Sequence, residues 1–133
     1  MDLEILKIAS NTKNHKTIKN FTHFCKNKNR ICGDVMEISL VVKNNKITDF
    51  GYQCKSCIYC QASVSLLSQN VINLDLKEVF DLLEQSEFFF EKKENENLKK
   101  WKILGKIINE KNIARKDCLL LPFTTLSKAL KNE

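Results

Sequence analysis

Residues Val35 to Tyr52 read VMEISLVVKNNKITDFGY, and no other stretch restricts the architecture as strongly. Met36, Ile38, Leu40 and Val42 alternate with Glu37, Ser39, Val41 and Lys43, a period of two that belongs to a strand with one buried face. The pair Asn44-Asn45 supplies residues that tolerate positive φ, and Ile47 to Tyr52 resumes extended character with Phe50 and Tyr52 on one side. These residues predict a β-hairpin.

The flanks read as helices. LEILKIA, from Leu3 to Ala9, places Leu3, Leu6, Ile5 and Ala9 near one stripe and predicts a short amphipathic helix. The segment SNTKNHKTIKNFTHFCKNKNR that follows is polar and poorly periodic, so it reads as a loop or loosely docked arm, with His15, His23 and Cys25 in it and both histidines exposed. ASVSLLSQNVI reads as a helix in which Ala62, Ser63 and Ser65 permit close backbone approach while Leu66, Leu67 and Val71 face a core. Asp75 and Glu78 have capping-box spacing at the start of another helix, with Leu76, Val79, Phe80 and Leu83 as its stripe and a turn near Phe88 to Phe90. A further helix is expected from Leu98 to Ile108. The last should run from about Cys118 to Lys131 with Pro122 in its first turn, where a missing N–H costs little.

This order predicts an α+β fold, a small antiparallel sheet of about three strands with helices packed on one face. A single domain over residues 1–133 is expected, with an N-terminal helix and loose arm over 1–30 and the core over 32–133. The opening residues carry no basic flank followed by an apolar segment, and no apolar run has the length of a membrane span, so a cytoplasmic location away from membranes is expected.

In a reducing compartment, six cysteines argue for metal or sulfur chemistry more than for disulfides, although a free cysteine also serves as a small buried hydrophobe. The net charge of +6 comes nearly all from Lys mixed with Asn and Glu, as in EKKENENLKK. That is the pattern of a solvated surface and does not imply nucleic acid, though it would suit an acidic protein partner.

Two readings of the thiols compete. Cys32, followed by Gly33 and Asp34, precedes the hairpin; Cys57 lies between strand and helix; Cys118 lies at or just before the last helix. Helix N-termini favour thiolate, the form that ligates metal or attacks sulfur. Three cysteines and one aspartate from separate connections can therefore converge on one tetrahedral site, or remain scattered structural residues. The rival is local: Cys54, Cys57 and Cys60 in CKSCIYC have C-x2-C-x2-C spacing, with Cys25, Cys32 or Cys118 as a fourth ligand to a ferredoxin-type cluster, but no C-x3-C-P follows.

Three blocks carry a resemblance: CGDVMEISLVVKNNKITDFGY at 32 to 52, C-x4-A-S-x-S-L-L from Cys57, and RKDCLLLPFTTLSKAL at 115 to 130. The sequence resembles the U-type iron–sulfur cluster assembly scaffold family, comprising IscU, SufU and the N-terminal domain of NifU. The resemblance spans most of the chain and implies a SufE/NifU-like fold. It also implies that Cys32, Cys57 and Cys118 bind the cofactor, that Asp34 joins them as a metal ligand, and that Cys54 and Cys60 are extras, read as partly buried or incidental thiols in preference to a ligand or sulfur-relay role.

The sequence departs from the family in places. Ser56 replaces the glycine usual before the middle cysteine, and Asp117 stands where a histidine often precedes the third. KNIARKD occupies the place of the LPPVK segment that engages an Hsp70 chaperone, so an Hsp70 partner is not implied. The long span between Cys57 and Cys118 resembles SufU, with the insertion around Glu91 to Gly105.

The resemblance implies a non-enzymatic scaffold that builds a transient [2Fe–2S] cluster from iron and from sulfur supplied by a cysteine desulfurase, then passes it to apo iron–sulfur proteins. The alternative it implies is a zinc-dependent sulfurtransferase, in which the same residues hold Zn2+ and Cys118 or Cys32 accepts persulfide sulfur.

Overall fold

The computed structural model describes residues 3–31, 33–92 and 104–131. In chain order the elements are α1 (Leu3–Ala9), β1 (His23–Lys28), β2 (Val35–Lys43), β3 (Lys46–Lys55), α2 (Ile58–Val71), α3 (Leu76–Lys92), a 3₁₀ turn (Glu110–Arg115) and α4 (Lys116–Lys131). The strands form one antiparallel sheet in the order β1-β2-β3.

The hairpin is where the alternation places it. Asn44 and Asn45 take φ of 52° and 64°, the paired positive values of a type I′ turn, whose twist matches that of the strands. Ile38 pairs with Tyr52 and Leu40 with Phe50, so these four residues share one face with Met36, and all five are buried. The helices cover this face: α4 lies against β1 and β2, and α2 against β3. The small residues Ala62 and Ser63 of α2 are fully buried, and where α2 meets α4 the Ser63 hydroxyl donates to the Leu119 carbonyl.

The arm is a correction to the sequence reading. Six of its residues form β1, paired with β2 from His23↔Leu40 to Lys28↔Val35, and Cys25 is buried beneath α4. Residues before β1 run along the outer edge of β3, where the Tyr52 N–H donates to the Asn14 carbonyl at 3.1 Å. The buried Asn14 amide donates to Ser68 Oγ at 2.9 Å, and Ser65 Oγ donates to the Asn11 carbonyl at 2.7 Å. The chain then crosses the other face of the sheet, where the Ile18 N–H donates to Ser39 Oγ. Gly51 makes that crossing possible, since a Cβ there would sit 2.6 Å from the Lys16 carbonyl oxygen. A polar sequence docks here because its own backbone and amide groups meet serines on α2 and the free edge of β3, which also relieves the edge-strand problem.

Smaller differences have local causes. In α1 the inward stripe is Ile5, Ile8 and Ala9, while Leu3 and Leu6 face outward; two turns of helix allow either stripe. Asp75 Oδ1 accepts from the Glu78 N–H at 3.1 Å, as the capping spacing predicts. However, α3 buries Val79, Leu82, Leu83 and Phe89 and leaves Phe80 exposed, and it continues past the expected turn to Lys92. The helix expected at Leu98 to Ile108 falls mostly outside the described residues; its described end is a 3₁₀ turn at 104–106. In α4, Pro122 lies inside the helix and not in its first turn, because Lys116 already has helical φ and ψ of −54° and −38° as the preceding 3₁₀ turn ends. Pro122 consequently has no N–H to give to the carbonyl of Cys118, four residues earlier. Among the described residues no helix is long and apolar enough to cross a membrane.

Candidate metal centre

Asp34 stands immediately before β2 at the end of a tight loop. Gly33 adopts φ of 78°, a conformation open to glycine at little cost. The loop is closed by two bonds of 2.8 Å, from the Asn29 N–H to the Asp34 carbonyl and from the Gly33 N–H to the Asn29 carbonyl. Cys57 is the N-cap residue of α2 and makes no side-chain capping bond, so its thiol is not used by the helix. Its N–H points at Asp34 Oδ2 at 3.4 Å. Cys118 is the third residue of α4 and is buried.

The donor atoms of Asp34, Cys57 and Cys118 all lie within 4.8 Å of one another. Tetrahedral Zn2+ takes sulfur at about 2.3 Å and carboxylate oxygen at about 2.0–2.2 Å, which spaces its ligands by roughly 3.5–4 Å. The trio therefore fits a thiophilic ion after a modest closure. Both α2 and α4 direct their N-terminal ends, the positive ends of their dipoles, toward this point. The two ends are held together by the Arg115 guanidinium, 5.2 Å from the centre of the Tyr59 ring, and by the Ser63–Leu119 bond.

Cys32 lies outside the described residues. Among the described residues, the other thiols are not members of the trio. Cys60 faces the core with no exposure, and burial drives its pKa far up, a rise that the Ser56 hydroxyl opposes in part and that negative charge at Cys54, Asp34 or Cys57 would increase. Cys54 in β3 is pushed the same way, first by burial, as is Cys25, where nearby Lys128 works in the opposite direction. Burial thus favours the neutral thiol at all three, which weakens them as nucleophiles. Among the described residues, no second group of His, Cys, Asp or Glu donors gathers as Asp34, Cys57 and Cys118 do, so the geometry gives no support to a local CKSCIYC site. His15 lies 5.2 Å from the Tyr52 ring, His23 Nδ1 lies 2.8 Å from Thr22 Oγ1, and neither belongs to the trio.

The family model described as NifU-like N terminal domain matches residues 2–117. The chain belongs to the NifU-like N-terminal domain family. A curated relative, the iron–sulfur cluster assembly scaffold protein IscU of Thermotoga maritima, is 31% identical over 128 residues, which is 96% of this chain and 89% of the relative. A candidate iron–sulfur cluster assembly scaffold protein for the SUF system from Fervidobacterium islandicum AW-1 superposes with a TM-score of 0.86 at 26% identity, covering 98% of this chain and 96% of that one. A NifU-like N-terminal protein from Brucella abortus superposes at 0.80 with 20% identity, over 98% and 91% of the two chains, a likeness of fold. The antiparallel three-stranded sheet with its helices is thus the fold of NifU-like domains, and the resemblance carried by the three motif blocks holds.

Among the residues that hold the trio in place, sequence reasoning passed over Asn29, Tyr59 and Arg115, and read Ser63 only as a small residue that permits close approach. The signal for Asn29 was present, since an Asn shortly before a Gly marks a turn. For Tyr59 and Arg115, and for the bond that Ser63 makes, the partners are far apart in the chain and no local pattern joins them.

Proposed function

We propose that the chain is an iron–sulfur cluster assembly scaffold, a single domain over 1–133 acting in the cytoplasm. It would receive iron and desulfurase-derived sulfur on Cys32, Asp34, Cys57 and Cys118 and pass a [2Fe–2S] cluster to apoproteins. The observation that carries this reading is the approach of Asp34, Cys57 and Cys118 donor atoms to within 4.8 Å in a chain of this family. The cluster here is cargo. Soft thiolates suit it, while a carboxylate is the weaker partner for such a group. Asp34 also has somewhere to go when it lets go, because the Cys57 N–H already faces its Oδ2. The burial of Asp34 and Cys118 limits water at the site, and an exchangeable oxygen donor keeps the cargo removable.

The compactness of the trio and the likeness to the SUF-system protein favour a second reading, zinc-dependent sulfur transfer. In that reading the thiolate of Cys118 or Cys32 attacks the outer sulfur of a persulfide on the desulfurase. The S–S bond breaks, the desulfurase thiolate leaves, and the persulfide now stands on this chain, with no external oxidant or reductant required. When bound, Zn2+ would supply a reservoir for the thiolate.

Anaerobic purification followed by zinc and iron analysis separates the two. A chromophoric cluster that reconstitutes and passes to an apoprotein supports the scaffold, and bound zinc with strong stimulation of desulfurase turnover supports transfer. Cys57→Ser should abolish tight metal binding, and Asp34→Ala should slow release of a bound cluster. A Cys57→Ser protein that binds zinc or cluster as the parent does would overturn the ligand assignment.

A further inference from the structure

Asn29, half-buried just beyond the end of β1, has both ends of its side chain engaged. Its Oδ1 accepts from the Ile31 N–H at 2.9 Å, and its Nδ2 donates to the Asp117 carbonyl at 3.1 Å. Its backbone N–H and C=O close the same loop onto Asp34 and Gly33. One amide thus shapes the loop that ends in Asp34 and ties it to the residue preceding Cys118. The bond from Lys128 to Asn27 at 3.2 Å also joins this region to α4, but well down the helix from its first turn.

We propose that Asn29 is a positioning residue for the candidate metal centre, setting the separation between the loop donor Asp34 and the helix donor Cys118. This rests on the reading of Asp34, Cys57 and Cys118 as ligands. Groups that orient ligands without touching the metal commonly change affinity by about 10- to 100-fold when removed, and Asn29 stands in that relation to two ligands at once.

The test is an anaerobic Co2+ titration of the parent, Cys57→Ser, Asn29→Ala and Asn29→Asp, read by thiolate-to-Co2+ charge-transfer and visible d–d absorption. Asn29→Ala should bind Co2+ about tenfold more weakly, with altered d–d bands, while the apoprotein keeps its circular dichroism. Asn29→Asp retains an acceptor for the Ile31 N–H but sets an oxygen against the Asp117 carbonyl. It should follow Asn29→Ala even though its added negative charge by itself favours a cation. If Asn29→Asp keeps the parent affinity and spectrum, Asn29 only shapes its loop and the proposal is overturned; the same comparison decides the matter if Asn29→Ala fails to fold. A parent without thiolate–Co2+ bands that Cys57→Ser removes would sink the ligand reading and this inference together. Parent bands sensitive to Cys57→Ser, with both Asn29 variants unchanged, would sink this inference alone.

Discussion

Three evenly spaced thiols in CKSCIYC end in three environments. Cys57 occupies the N-cap position of α2 beside Asp34, Cys54 is half-buried in β3, and Cys60 one turn further on is sealed in the core. Even spacing in sequence thus says little about chemical equivalence, because the strand-to-helix change at Ser56 turns successive side chains in different directions. Burial holds the folded-state pKa of Cys60 above the ordinary 9.0. As pH rises past that ordinary value the unfolded chain loses its proton first, so stability present below about pH 9 is progressively lost above it. Cys25, Cys54 and Tyr52 are shifted in the same direction and steepen the fall. Apoprotein melting temperatures measured from neutral to strongly alkaline pH should decline in the parent. Cys60→Ala, at a cost of about 1 kcal/mol for the atom lost, should decline less steeply. An equal slope in both proteins would mean that another group governs the alkaline limb.

Among the elements, the hairpin and the α3 cap were legible because their signals are local: alternation with an Asn-Asn turn in one, an aspartate three residues before a backbone donor in the other. The strand β1 was not. It is an edge strand of HFCKNK, with Cys25 its one buried residue and lysines turned to solvent, so it carries the charges that protect an edge in place of the apolar alternation that announces a strand. The segment leading into it was illegible for a related reason, since what docks it is backbone and amide hydrogen bonding to Ser39, Ser65, Ser68 and Tyr52, partners that a periodicity reading does not register. Gly51→Ala tests that docking. The new methyl would meet the Lys16 carbonyl at 2.6 Å and Ser39 Oγ at 3.0 Å, and overpacking against backbone should cost about 1–3 kcal/mol in urea unfolding, with faster proteolysis between α1 and β1. A loss under about 0.5 kcal/mol, within the range of ordinary surface substitutions, would show that the crossing segment yields easily.

For the molecule as a whole, the trio is supplied by a loop and two helices that only the complete fold brings together. Spacing alone left convergence and scatter both open; the resemblance to the scaffold family pointed to the partners, and packing of α2 and α4 against the sheet explains their approach. An ion held at a centre assembled in this way would bind the folded chain and not the unfolded one, so metal binding and folding would be linked. Zinc at about 100 times its dissociation constant should add about 2.7 kcal/mol, equivalent to roughly 10 °C in melting temperature for a chain of this size. The shift should be largely lost in Cys57→Ser; no shift in the parent would remove the case for a resident or transient ion. Ser63, fully buried and bonded from α2 to the Leu119 carbonyl of α4, bears on how such a centre would be sized. Because its side chain is small, α2 and α4 meet at Ser63 with only a hydroxyl between them, at the residue that follows Cys118 in the chain, so the gap between the thiols of Cys57 and Cys118 would be gauged by a side chain that does not touch it. Enlarging Ser63 would act as a shim, widening the seat and changing which ions it would accept while every donor stays the same.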